Sequence, residues 1–258
     1  EEIEQLEIPP LTNLQQLSIR AKMENRDLII PVLPALKRLY VSVCYPKRNT
    51  TSHWIPNLAQ MTALETLTRY SLTLPELRKM SCYLPTQIQE LCLFDIRRDR
   101  TEKADDKQFW TNMKSLTQLK VLKIPQMKPT KVFMKRMKRM QLTEFALLDD
   151  RVPSPLAAML PEMTHLRSLS LSGTGKPLAA ALAECTQLTQ VNLDSEKPQE
   201  MESYIAVLPR LPALENVSVY KRNPAPLAFY ALHLPALTQL ALYVAKSDLP
   251  AFGGFLER

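Results

Sequence analysis

Ten times along the chain the same spacing of apolar side chains returns, L-x-x-L-x-L with mostly polar or small residues between. It runs through Leu14-Leu17-Ile19, Leu36-Leu39-Val41, Leu64-Leu67, Ile88-Leu91-Leu93 and Leu119-Leu122-Ile124. It continues through Leu142-Phe145-Leu147, Leu166-Leu169-Leu171, Leu188-Val191-Leu193, Leu214-Val217-Val219 and Leu237-Leu240-Leu242. Successive starts lie 22 to 31 residues apart. Alternation within the motif predicts a short strand with one face turned inward. Leu fills nine of the ten first positions although only 43 of the 258 residues are Leu, so apolar composition alone does not generate the pattern. Three residues before the motif another apolar side chain recurs: Leu11, Leu33, Met61, Leu116, Met163, Cys185, Leu211 and Leu234.

Proline gives an independent register mark. Pro46, Pro129, Pro153, Pro177, Pro198 and Pro224 each follow the last apolar position by five or six residues. Their fixed φ and missing N–H suit the first turn of a helix. Helical spacing follows, as in Leu156, Met159, Leu160 and Met163, or Leu178, Leu182 and Cys185. Leu-Pro pairs (Leu33-Pro34, Leu84-Pro85, Leu160-Pro161, Leu208-Pro209, Leu234-Pro235) are expected where those helices stop, because the residue before Pro disfavours helix. Each unit thus reads as strand, turn, helix and turn. One unit cannot bury its apolar face alone, and stacking about ten makes a continuous core.

These residues and this period resemble leucine-rich repeat proteins over roughly residues 11 to 248. The position that commonly holds a ladder-forming Asn holds Lys22, Cys44, Ile96, Met127, Asp150, Thr174, Glu196 and Arg222 instead. That departure, with the uneven period, is similar to the irregular, helix-containing intracellular type found in plant immune receptors, F-box substrate receptors and bacterial effectors. The expected fold is α/β: a right-handed leucine-rich repeat solenoid (horseshoe), its parallel sheet on the concave face and short helices on the convex face. One domain is expected over 1–258, with a capping region at 1–13 containing Ile3, Leu6 and Ile8. An exposed basic insertion is expected at 97–110, before Phe109 and Trp110 re-enter the core, and a truncated end at 249–258. Arg69 stands where the third motif needs its last apolar residue, which predicts a local bulge or a shifted register.

In such a stack the x positions of the strand look away from the core. They include Arg20, Arg38, Tyr40, Tyr70, Phe94, Lys123, Asn192, Asp194, Tyr220 and Tyr243, the candidate residues for binding a partner. Aromatic and Arg side chains on a rigid sheet are the types that carry interface energy. The plain alternative is that these tyrosines merely cover the sheet or pack beside loops.

Charge adds a second candidate. The chain is +7 overall, and residues 97–139 hold 14 Lys/Arg against 4 Asp/Glu, a net of +10. Lys128, Lys131, Lys135, Arg136, Lys138 and Arg139 are the densest part; on a helix, Phe133, Met137 and Met140 would share the opposite face. Either this is a solvated outer helix, or it attracts nucleic acid or an anionic membrane.

Chemistry is sparse. With 4 Gly and 21 Pro the chain has no Gly-rich phosphate loop, and it lacks nucleophile-elbow and zinc-protease motifs. Three isolated His and four Cys without a C-x-x-C pair give no metal-ligand spacing, and free thiols, buried at Cys92 and Cys185, are the expectation. No run of about 18 apolar residues suggests a membrane span. No catalytic residue, cofactor, metal or small-molecule substrate is expected. The sequence points to recognition of another protein or of a neighbouring domain of its own chain, docking there in an autoinhibitory manner. The setting is a cytoplasm, a host cell's if the source is a pathogen.

Overall fold

The computed structural model describes residues 5–22, 27–44, 54–97, 107–125, 130–148, 154–172, 176–194, 198–220 and 234–243. Most of the expected insertion, Lys128, and the end at 249–258 lie outside the described residues. Contacts divide the chain into two units, Glu1–Pro125 with Pro129–Gln141, and Gln126–Lys128 with Leu142–Arg258.

In the first unit, β1 (Gln5–Glu7), β2 (Gln16–Lys22), β3 (Asp27–Ile29), β4 (Arg38–Cys44) and β5 (Thr66–Thr73) come first. Then follow α1 (Leu74–Ser81), β6 (Glu90–Arg97), α2 (Lys107–Asn112), β7 (Val121–Pro125) and α3 (Lys131–Met137). Strands β2, β4, β5, β6 and β7 pair in chain order, all parallel, so that Leu17, Leu39, Leu67, Leu91 and Leu122 stand in one row. Strands β1 and β3 form a separate parallel pair. The second unit comprises β8 (Glu144–Leu148), α4 (Ser154–Ala157), β9 (Ser168–Ser172), α5 (Lys176–Ala183) and β10 (Gln190–Asp194). It ends with α6 (Pro198–Ile205), β11 (Asn216–Tyr220) and β12 (Gln239–Tyr243). Here β8 to β12 pair in chain order and again all parallel, with Phe145, Leu169, Val191, Val217 and Leu240 in register. Each unit is therefore an open α/β stack of leucine-rich repeats, one strand per motif.

The backbone explains why the motif carries its preceding apolar residue. The N–H of the first motif residue donates back three residues, as Leu36 does to Leu33 (3.1 Å), Leu64 to Met61 (3.0 Å) and Leu188 to Cys185 (3.1 Å). That turn sets both apolar side chains on the core side; Leu33, Leu36, Met61, Leu64, Cys185 and Leu188 are all fully buried. Next, the carbonyl of the second motif residue accepts two N–H groups from the following repeat. Lys37 O takes Glu65 N (2.9 Å) and Thr66 N (3.0 Å); Arg167 O takes Thr189 N (2.9 Å) and Gln190 N (3.0 Å). Side-chain amides add rungs that replace the missing Asn ladder. Gln87 Nε2 donates to Met61 O at 3.2 Å and Gln187 Nε2 to Met163 O at 3.0 Å. Asn57 Nδ2 reaches Ile30 O at 2.7 Å.

The outer elements are less regular than the sequence suggests. The first interval holds β3 and, among the described residues, no helix, and the second holds only a 3-10 turn at Ile55–Gln60. Among the described residues, two of the Leu-Pro pairs lie beyond the helix ends instead of at them. At Leu160–Glu162 and Leu208–Arg210 they open 3-10 turns, three residues beyond the ends of α4 and α6. Proline fits there because the first turn of such an element has no use for its N–H. Helix α1 is held by a reciprocal cap, with Glu76 N donating to Thr73 Oγ1 (3.4 Å) and Thr73 N donating to Glu76 Oε2 (2.9 Å).

Arg69 resolves the alternatives left open in the third motif. The register holds, with Arg69 facing Val41 and Leu93 across β4 and β6, and Arg69 is fully buried. Its Nη1 donates to Tyr70 O at 2.8 Å, which lets a guanidinium replace an aliphatic group. The bulge comes two residues later and is doubled. Ser71 and Asp95 both adopt left-handed φ, 55° and 53°, and Ser71 Oγ donates to Asp95 Oδ2 at 2.6 Å. Because both strands deviate together, pairing resumes at Leu72–Ile96 and Thr73–Arg97, and Leu72 and Ile96 return to the core.

Candidate functional site

The open face of the first unit's sheet carries a continuous row of side chains. Register places Arg20, Ser42, Tyr70 and Phe94 at one level of adjacent strands. Ser42 is small, so Tyr40, two residues earlier on β4, leans diagonally into the gap. The result is a stack. The Arg20 guanidinium lies 5.1 Å from the Tyr40 ring centre. Tyr40 and Tyr70 are 5.5 Å apart at 47°, and Tyr70 and Phe94 are 4.5 Å apart at 22°, nearly parallel. Arg20 is exposed and the three rings are half-buried. Burial among its neighbours, followed by the adjoining Tyr40, pushes the Tyr70 phenol above its ordinary value.

Four sequence candidates are thus brought together: Arg20, Tyr40, Tyr70 and Phe94. Arg38 is exposed at the start of β4, and Lys123 is half-buried on β7 opposite Cys92. In the second unit Asn192 is half-buried and donates Nδ2 to Ser170 Oγ at 2.8 Å, while Asp194 is exposed. Tyr220 and Tyr243 are register partners on β11 and β12; their side chains lie outside the described residues. The rest of that face is mostly hydroxyl and amide, with Ser168, Ser170, Gln190, Asn192, Asn216 and Ser218 half-buried beside the half-buried Glu144 of β8. Ala146, an x position, is 3% exposed because a single methyl does not clear its surroundings.

Helix α3 presents the arrangement expected of an outer amphipathic helix. Phe133, Met137 and Met140 are buried, and Phe133 packs on Trp110 with ring centres 4.3 Å apart. Phe109 and Trp110 enter the core as expected. Lys131, Lys135, Lys138 and Arg139 are exposed, and Arg136 is half-buried. Thr130 caps the helix, accepting from Phe133 N at 3.2 Å.

The cysteines divide. Cys185 is buried and desolvation pushes its thiol up to about 12, whereas Cys92 is half-buried on the open face. Cys92 thus departs from the buried setting expected of it, because it stands at an outward motif position; Cys82 follows α1, faces solvent and accepts from Asn112 Nδ2 at 3.2 Å. All three are free thiols. Among the described residues, no group of three or more His, Cys, Asp and Glu is placed to hold a metal ion, and no helix is long and apolar enough to cross a membrane.

Two features escaped sequence reasoning. The Gln rungs are signalled by a Thr-Gln pair before the motif, as in Thr86-Gln87-Ile88 and Thr186-Gln187-Leu188. The diagonal placement of Tyr40 has no such signal, since it depends on the size of Ser42.

No protein-family model and no curated protein matches the chain. Solved structures do resemble it. An internalin C2 from Listeria monocytogenes is 16% identical, with 73% of this chain and 83% of that chain covered at a TM-score of 0.39. A Leptospira interrogans LRR protein is 14% identical, with 90% and 79% covered at a TM-score of 0.40.

Proposed function

We propose that this chain is a recognition module that binds a protein segment through the open sheet face of its first unit, acting by binding and not by catalysis. The observation that carries the reading is the Arg20–Tyr40–Tyr70–Phe94 stack. Side chains already stacked on a paired sheet have little rotamer freedom left to lose, so association costs less ordering entropy than a flexible surface would. Large aromatics and Arg are the types whose truncation most often costs an interface ~2 kcal/mol or more. Arg38 and Lys123 flank the row in this reading, and Asn192, Asp194, Tyr220 and Tyr243 form a second, weaker contact region. The role is that of a specificity domain within a larger receptor, ligase adaptor or effector. The three free thiols support a reducing, cytoplasmic setting.

The test is partner capture by the full chain, compared with a Tyr40→Ala/Tyr70→Ala/Phe94→Ala variant whose circular dichroism matches wild type. Capture should be lost. Undiminished capture by a folded variant sinks the reading.

The outward cations of α3 favour one competitor, an anionic partner such as nucleic acid or lipid on Lys131, Lys135, Lys138 and Arg139. That reading requires binding to fall steeply with salt and to vanish in Lys131→Glu/Lys135→Glu/Lys138→Glu.

A further inference from the structure

We infer that the partner of the Arg20–Tyr40–Tyr70–Phe94 row is an extended acidic peptide, a specification that rests on the recognition reading above. Tyr70 lies between Tyr40 and Phe94, and Tyr40 lies under the Arg20 guanidinium. The ring faces, where the negative part of the aromatic quadrupole sits, are largely occupied by one another. A ligand therefore meets ring edges, which carry the positive part, guanidinium N–H groups, which only donate, and phenol hydroxyls, which can donate. Every one of these attracts an acceptor, and a carboxylate most strongly.

Charge on the same face agrees. Arg38 is exposed on β4, two residues before Tyr40, and adds a second cation within reach of the row. Glu90 and Asp95 are exposed on β6, where they accept from Thr66 Oγ1 at 3.3 Å and Ser71 Oγ at 2.6 Å and keep their charge, so the acidic side chains of the peptide belong at the Arg20 and Arg38 end of the row. A basic peptide would meet like charge at Arg20 and Arg38.

Backbone accounting selects the mode of contact. Strands β4, β5 and β6 each have a parallel neighbour on both sides, so their N–H and C=O groups are committed to the sheet. Recognition has to run through side chains and not through strand addition. Steps of 5.1, 5.5 and 4.5 Å across the row match roughly four or five extended residues at ~3.3 Å each.

The experiment is selection from a displayed library of random peptides on the full chain, followed by fluorescence anisotropy with the most enriched sequence. The enriched peptides should carry Asp and Glu well in excess of Lys and Arg. Arg20→Gln/Arg38→Gln should weaken the best of them by roughly tenfold or more, about 1.4 kcal/mol. The Tyr40→Ala/Tyr70→Ala/Phe94→Ala variant should lose it, and Lys131→Glu/Lys135→Glu should leave it unchanged. Enrichment of neutral or basic peptides that still need the aromatic row overturns the acidic specification and leaves the recognition surface standing. Acidic peptides that bind the aromatic variant at full strength but fail on the lysine variant overturn both. No enrichment at all overturns the specification, because an epitope of this length is within the library's reach.

Discussion

The open faces of the two units are built on the same register and carry different chemistry. In the first, Tyr40, Tyr70 and Phe94 stack across β4, β5 and β6 beside Arg20. In the second, the same level of β8 to β12 carries Leu148, Ser172, Asp194, Tyr220 and Tyr243, and at the fifth motif position Asn192 donates to Ser170 across β10 and β9. Behind both faces the rows of Leu, Val and Ile are alike and buried on the inner strands, while at the end strands Leu17 is half-buried and Leu240 is exposed. The difference shows that the motif governs only the inward positions. Outward positions are free to vary because a parallel ladder is indifferent to what points away from its core, and one large side chain at each of several neighbouring levels is enough to make a preorganised surface.

Truncating the shared core should hurt both units alike: Leu91→Ala and Leu193→Ala should each cost ~2–5 kcal/mol in urea unfolding. A large loss in one unit with none in the other would contradict equivalent cores. On the faces the effects should part. Phe94→Ala should weaken partner binding by roughly 30-fold, ~2 kcal/mol, whereas Asn192→Ala should change it only a few-fold. Equal losses in a titration of the two variants would erase the distinction drawn here. Removing the cap that ends β5 and starts α1, by Thr73→Ala, should cost ~1 kcal/mol of stability while leaving affinity near wild type.

A further effect is confined to alkali. Folding raises the Tyr70 and Cys185 pKa values above their unfolded 10.0 and 9.0. The unfolded chain thus loses those protons first. Their contribution is whole below about pH 9 and is lost as pH climbs toward the folded values, near 12 for Cys185. Tyr70→Phe and Cys185→Ala should each flatten the fall of stability with pH above 9, read from unfolding midpoints at fixed ionic strength; an unchanged slope would mean the groups titrate normally.

Much of the strand side was legible in advance. L-x-x-L-x-L with its preceding apolar residue specifies a turn and an alternating strand, and every motif became one. The outer side was less so. Proline marks where a helical turn begins but not its kind, which is why Leu160-Pro161 and Leu208-Pro209 open 3-10 turns beyond the helices they seemed to close. Arg69 reads as a break because charge is rarely buried; the carbonyls of Val41 and Tyr70 that meet its Nη1 are invisible to a one-dimensional pattern. For the site, alternation correctly put Tyr70 and Phe94 on the outward side. That Tyr40 joins them, although it occupies the fifth position and they the seventh, depends on a diagonal contact that no periodicity encodes.

The paired left-handed residues at Ser71 and Asp95 have a consequence for how such a chain can change length. Elsewhere each coil meets its neighbours through the same straight register, and duplicating or deleting one leaves those neighbours able to rejoin. Coils three and four are interlocked by their common kink, so an editing event that removed either alone would strand the other's detour against a straight partner. Gene rearrangement, or a protein engineer, has to move those two together.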